Sequence, residues 1–234
     1  MSASFPNRRH ASTRPAAPGR RRWALPAATW LLMAGAADAL AQRWELGIGA
    51  GGGIYTTQSV TNVRGQSAEA GVAPGPVITA HLGQMTRGLF GGEVRYSFQR
   101  GAYRLRQAGL EARLSGHSHA IEYDVLLHFA GPAARLRPYL LAGAGAKYFE
   151  GTGRETSVQP LTNFAFLTRT SEWQPLVAVA GGLKISLSRH IELRLEARDT
   201  LTPVPKNVIT PARGATLGGW LHDLALLGTV AFRF

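Results

Sequence analysis

The stretch His190-Ile191-Glu192-Leu193-Arg194-Leu195-Glu196-Ala197-Arg198 decides the fold. Ile191, Leu193, Leu195 and Ala197 alternate without a break with Glu192, Arg194, Glu196 and Arg198. Period two places alternate side chains on opposite faces, so this is a strand with one apolar and one charged face. Gly92–Gln99 repeats the pattern, with Val94, Tyr96 and Phe98 set against Glu93, Arg95, Ser97 and Gln99. So do Trp44–Ala50 and the last stretch, where Leu224, Leu226, Val230, Phe232 and Phe234 alternate with Ala225, Thr229, Ala231 and Arg233. No segment beyond residue 42 carries a convincing helical period.

Eight such strands are predicted, at about 43–56, 76–84, 89–99, 118–130, 138–149, 174–187, 190–200 and 223–234. Each is long enough to cross a bilayer as a tilted strand. The connections between them run about 19, 4, 18, 7, 24, 2 and 22 residues, long and short in strict alternation. A soluble sandwich has no reason to alternate in this way. A transmembrane barrel does: long loops face outside, short turns face the periplasm, and an even strand number brings both ends to the periplasmic side. The long connections are rich in Thr, Ser, Gly and Pro, including Pro160, Pro203, Pro205 and Pro211, as loops are. The fold class is therefore all-β: an eight-stranded antiparallel up-and-down transmembrane barrel.

The N-terminus reads as an address. Residues 1–22 are polar and basic, an apolar run follows from Trp23 to Ala37, and Ala39-Leu40-Ala41 is a small-x-small cleavage site. These are the parts of a secretory signal peptide, cleaved before Gln42. The domains are thus 1–41 signal peptide and 42–234 barrel. The chain of 234 residues has a formal net charge of +12, which invites a nucleic-acid reading. Six arginines (Arg8, Arg9, Arg14, Arg20, Arg21, Arg22) and Asp38 leave with the signal, taking five of those charges. Absence of cysteine excludes disulfides and thiolate chemistry.

The strand Pro138-Tyr139-Leu140-Leu141-Ala142-Gly143-Ala144-Gly145, the strand end Glu196-Ala197-Arg198-Asp199 and the terminal Val230-Ala231-Phe232-Arg233-Phe234 resemble small bacterial outer-membrane porin-like barrels, related to the membrane domain of outer-membrane protein A. That resemblance implies place and shape more than activity. It implies residence in the Gram-negative outer membrane, among its lipids. It also implies that Phe232 and Phe234 signal to the barrel assembly machinery. No peptidoglycan-binding domain is expected after the barrel.

An eight-stranded barrel has an interior just wide enough for side chains. With the apolar face toward lipid, Glu45, Glu93, Glu122, Asp124, Glu192 and Glu196 point inward with Arg95, Lys147, Lys184, Arg194, Arg198 and Arg233. Desolvated charges need partners, and this balanced set predicts a filled, charge-paired lumen. Inward glycines, among them Gly47, Gly49, Gly143 and Gly182, leave room for the long side chains. Arg43, Arg87, Arg135, Arg137 and Arg189 form a predicted periplasmic rim, suited to anionic head groups. Trp44, Tyr96, Phe98, Tyr123, Phe129 and Phe234 read as lipid-facing or girdle residues rather than a ligand cage.

Candidate chemistry is sparse. In His117-Ser118-His119, neighbouring residues point to opposite faces, so Ser118 meets neither histidine. Two histidines on one face rarely suffice for a metal. Glu122 and Asp124 read as ion partners rather than an acid–base pair. Gly49-Ala50-Gly51-Gly52-Gly53 lacks the Lys and helix of a phosphate loop. No cofactor, no catalytic residue and no nucleic-acid partner are expected. The reading is a structural or interaction barrel displaying four outer loops, whose partner is unknown. A narrow channel is the alternative, and a lipid-modifying enzyme a weaker one. A soluble lipocalin-like barrel would instead put Glu192, Arg194, Glu196 and Arg198 outside.

Overall fold

A spanning sheet must satisfy every backbone group within itself, and it does so by closing. The computed structural model describes residues 43–85, 88–155 and 158–234, so the predicted signal peptide and Arg87 lie outside the described residues. In chain order the strands are β1 (Arg43–Tyr55), β2 (Gln58–Thr61), β3 (Ser67–Val72), β4 (Gly75–Met85), β5 (Phe90–Gln107), β6 (Leu110–His128), β7 (Leu136–Gly151), β8 (Ala165–Leu167), β9 (Ser171–Ser186), β10 (Ile191–Pro203), β11 (Ile209–Pro211), β12 (Thr216–Leu217) and β13 (Trp220–Arg233). No helix occurs among the described residues. β1, β4, β5, β6, β7, β9, β10 and β13 pair antiparallel around a ring. The last strand pairs with the first, from Glu45↔Arg233 to Tyr55↔Asp223, and closes it.

Ring strands outrun the predicted ones at the end that bears the long connections, here called the outer end. The largest difference lies at 100–117, predicted as a loop. β5 and β6 instead continue as one ribbon, in register to Gln107↔Leu110. The ribbon turns on Ala108 and Gly109, with φ of 48° and 83°. Two left-handed residues in a row make a two-residue hairpin turn whose twist matches the strands. β4 is shorter, so the outer part of β5 takes β3 as its neighbour, from Val72↔Tyr103 to Glu69↔Arg106. The chain passes between the two at Gly75, where a Cβ would fall 1.7 Å from the carbonyl oxygen of Arg100.

The other long connections are built rather than merely polar. β2 and β3 form a hairpin, β12 pairs with β2, and β8 pairs with β11. Between them lies an apolar core that includes Val60, Ala70, Leu105, Leu114, Phe164, Leu167, Val208, Ile209, Leu217 and Leu221. The fold thus has two interiors of opposite character. Along β5 the inward series runs Glu93, Arg95, Ser97, Gln99, Gly101, Tyr103, Leu105, and the outward series Val94, Tyr96, Phe98, Arg100, Ala102, Arg104, Arg106. Polarity inverts between residues 98 and 103. Lipid outside the wall wants apolar side chains outward; water outside wants them inward. One ribbon crosses from the first solvent to the second.

Candidate functional site: a charged lumen under an apolar cap

Alternation along each ring strand aims every second side chain inward, and twelve of the predicted ones are charged. These side chains meet in three tiers. At the inner end, Lys184 Nζ donates to both oxygens of Glu45, at 2.9 and 2.8 Å, and His81 Nε2 lies 3.0 Å from Glu45 Oε1. Glu192 sits between Lys184 at 3.4 Å and Arg233 at 3.3 Å. Arg137 closes this end, with its Nε donating to the Ala130 carbonyl.

The central tier is the most densely paired. Arg95 contacts Glu93 at 2.6 Å and Asp124 and Glu196 at 3.2 Å each. Arg194 donates to Glu93 at 2.6 Å, to the Tyr139 hydroxyl at 2.5 Å, and to Glu196. Tyr139 donates its own proton to Glu196 Oε2 at 2.6 Å. Arg198 completes the tier on Glu122 at 2.8 Å and Asp124 at 2.9 Å. Every one of these charged groups is at most 5% exposed.

The outer tier hangs on Lys147, which donates to Asp223 at 2.6 Å and to the Tyr55 hydroxyl at 2.7 Å. Gln99 joins both, accepting from Tyr55 at 2.7 Å and donating to Asp223 at 3.1 Å. Buried Tyr103 and Phe149 lie directly beyond and belong to the cap core. The pocket at this junction, lined by Tyr55, Gln99, Tyr103, Ser118 and Phe149, holds about 10 Å³. A water needs roughly that much for its centre alone.

Glycine makes the room. A Cβ on Gly143 would lie 1.8 Å from Asp124 Oδ1, on Gly47 2.3 Å from the His81 ring, and on Gly182 2.4 Å from the Tyr139 hydroxyl.

All twelve residues that the sequence points inward line this interior: eleven are buried, and the side chain of Arg233 is 12% exposed. His81, Tyr55 and Tyr139 join the tiers without having been placed there by the sequence reading, and so do two charged residues. Asp223, the first residue of the predicted strand 223–234, shares the inward parity of Ala225 and Thr229 and is buried, because β13 already runs from Trp220. Arg137 is not a rim residue, as the sequence reading has it. Its place in β7, two residues before inward Tyr139, gives it the inward parity and 2% exposure. Parity counted back from Leu141 finds it. Arg135 and Arg189 are exposed in inner-end turns. Phe232 and Phe234 face outward and are exposed.

Other sequence candidates separate as well. Ser118 is buried inward, while His117 and His119 face outward beside Glu150 and Tyr96. Glu122 and Asp124 share Arg198. Trp44, Tyr96, Tyr123, Phe129 and Phe234 are exposed outward; Phe98 is half-buried. Among the described residues, no three potential ligands gather where a metal could sit.

A wall with buried charges inside and Leu46, Ile48, Val94, Ile121, Val179, Leu226 and Val230 exposed outside is inverted relative to a soluble barrel. The model of the outer membrane protein beta-barrel domain matches residues 27–210. The chain belongs to this family. Its location is the outer membrane of Gram-negative bacteria. No curated protein matches the sequence. Solved structures similar to it include neisserial surface protein A, at 13% identity, 82% of this chain and 97% of that one, TM-score 0.48. OprG of Pseudomonas aeruginosa follows at 12%, 82% and 95%, TM-score 0.48. A major outer membrane protein of Thermus thermophilus stands at 14%, 83% and 100%, TM-score 0.48.

Proposed function

We propose that this chain is a sealed outer-membrane barrel with a structural or interaction role, whose working surface is its ordered outer cap. The observation that carries this reading is the central tier, where three arginines and four carboxylates pair across the lumen at 2.6–3.2 Å, with the Arg194–Glu196 contact completing the set. Each of those ions has given up water, and removing a partner costs several kcal/mol, about 3–5. A continuous water path would have to break such pairs. Beyond them it would meet the apolar cap. In this reading Phe232 and Phe234 guide the strand to the barrel assembly machinery, outer-membrane lipids surround the wall, and the cap meets the extracellular partner.

The alternative, a narrow channel for small solutes, draws support from the inner tier. There the contacts to Glu192 lengthen to 3.3–3.4 Å and neither of its oxygens accepts a hydrogen bond. Planar-bilayer recording with the purified protein separates the two. The sealed barrel gives no stepwise current at an applied potential of about 100 mV, a typical membrane voltage. Reproducible unitary steps that vanish on heat unfolding would establish the channel and end the sealed reading.

A further inference from the structure

The inner end of the barrel carries aromatic residues on its wall and bases on its turns. Trp44, Phe129, Phe232 and Phe234 are all exposed outward there. Aromatic side chains of this kind girdle a barrel at a membrane–water boundary. Just beyond them two short connections meet, residues 129–135 between β6 and β7 and residues 187–190 between β9 and β10. The Ser186 amide donates to the Arg135 carbonyl at 2.8 Å and ties the two together. The second turn is also fixed from within, because the Ser188 hydroxyl accepts from the amides of His190 and Ile191 at 3.3 and 3.0 Å. The Arg233 amide donates to the His190 carbonyl at 2.8 Å, and the His190 ring stacks on Phe232 with centroids 5.7 Å apart.

These parts border an open cleft of about 720 Å³, whose lining includes Pro132, Arg135, Ser188, Arg189, His190 and Arg233. No Asp or Glu side chain lines it. Arg233 is partly engaged: its Nη1 lies 3.3 Å from Glu192, its Nη2 donates to the Ser188 carbonyl at 2.9 Å, and its buried Nε has no hydrogen-bond partner. Arg135 and Arg189 are exposed, and their guanidiniums make no ion pair or hydrogen bond among the described residues. Three guanidiniums around one cleft, with a single carboxylate shared among them, leave positive charge for something outside the chain to meet. The cleft opens beside the lipid-facing wall. Each base has an exposed apolar neighbour in the chain: Leu136 next to Arg135, Ile191 next to His190 and Phe232 next to Arg233.

We propose that this cleft binds the phosphate of an anionic glycerophospholipid of the periplasmic leaflet, held by Arg135 and Arg189 and backed by Arg233. Forked guanidiniums match phosphate oxygens. The acyl chains then lie on Leu136, Ile191 and Phe232. An ethanolamine ammonium finds no carboxylate side chain in the cleft to accept it, so the head group that fits is an uncharged one such as glycerol. A soluble phosphate, or the acidic peptide of the cell wall, would gain nothing from the apolar residues beside the cleft. The inference rests on the long connections facing outward, which puts this end in the periplasm. It is independent of whether the lumen is sealed, so a conducting barrel would leave it standing.

The test is native mass spectrometry of the purified full chain in dodecyl maltoside. The titrants are chain-matched phosphatidylglycerol and phosphatidylethanolamine, soluble glycerol 3-phosphate and a soluble cell-wall disaccharide peptide. One basic residue at an anionic membrane surface is worth about fivefold in binding, so two unengaged arginines predict about 25-fold tighter retention of phosphatidylglycerol than of phosphatidylethanolamine. R135Q/R189Q loses that preference, R135K/R189K keeps most of it, and R64Q/R213Q, which alters exposed arginines in the outer connections, changes nothing. Heat-modifiable gel mobility reports folding. If the double variant fails to fold, R135Q and R189Q singly are each expected to lose about fivefold. Equal retention of the two lipids by wild type, or an unchanged preference in R135Q/R189Q, overturns the proposal. Binding of glycerol 3-phosphate as tight as that of phosphatidylglycerol also overturns it and assigns the cleft to a soluble phosphate. Tighter binding of the disaccharide peptide than of either lipid overturns it in favour of the cell wall.

Discussion

Arg95 is the side chain on which the central tier turns, and Arg95→Met is the sharpest perturbation of it. The guanidinium touches three carboxylates, Glu93 at 2.6 Å and Asp124 and Glu196 at 3.2 Å, all essentially without solvent. Methionine fills part of the space but leaves three acceptors facing one another with one cation fewer. Breaking a buried ion pair by removing one partner costs about 3–5 kcal/mol, because the survivor stays charged and unsolvated. Arg95→Met is therefore expected to lose about 3–5 kcal/mol of unfolding free energy. Glu196→Gln is expected to lose a similar amount, since it abandons Arg194 and Arg198 as well. The double variant restores the charge balance, and neighbours of this kind couple by about 1–3 kcal/mol, so its loss falls short of the sum by that margin. Urea unfolding from phosphatidylcholine vesicles, followed by the fluorescence of Trp44, Trp173 and Trp220, measures all three. Arg135→Met, in an exposed inner-end turn, is the control and stays within about 0.5 kcal/mol. A loss below about 1 kcal/mol for Arg95→Met, or strict additivity in the double variant, would refute the claim that these charges hold one another.

Two further perturbations probe the glycines and the cap. Gly143→Ala places a Cβ 1.8 Å from Asp124 Oδ1 and should cost about 1–3 kcal/mol by overpacking in the same urea assay, while Gly52→Ala, with nothing within 4 Å, should be tolerated. Phe164→Ala empties a fully buried site in the cap core and should weaken it locally by about 3–5 kcal/mol; limited proteolysis should then cut within 158–170 while the barrel keeps its folded gel mobility.

The ring was legible because one physical rule governs it: in lipid, every spanning strand must alternate. Glu192–Arg198 and Glu93–Gln99 state that rule in residues. Legibility ended where the outer solvent changed to water. At 100–117, Arg100, Arg104, Arg106 and Arg113 take the outward positions that Val94 and Tyr96 hold lower down, so the lipid-facing pattern stops while the strand goes on. The turn gives no help, because Ala108-Gly109 lacks the Asn-Gly or Asp-Gly signature, and alanine adopts a left-handed φ less readily than those residues. The cap core was hidden for another reason. Val60 and Leu217 are single apolar residues, and Phe164-Ala165-Phe166-Leu167 and Val208-Ile209 are short apolar runs, scattered through Thr-, Ser- and Pro-rich segments, and only tertiary contact joins them. Asp223 stands where the predicted strand begins, and the three further residues of β13 before it are what turn it from loop to lumen.

The two interiors constrain each other. Inside the membrane band, charge must go inward because lipid cannot solvate it, and once inward it must pair. Above the band, apolar groups must go inward because water is outside. At the junction, Lys147 carries a charge into contact with both: its Nζ holds Asp223 and lies 5.5 Å from the ring of buried Phe149. A path for ions would need polar groups continuously from one end to the other. Here the polar series ends at Tyr55, Gln99 and Lys147, and Tyr103, Leu105, Leu114 and Phe164 follow. In the proposed sealed reading, the cap does for the outer mouth what the ion pairs do for the lumen, and the surfaces left to meet a partner are the outward ones.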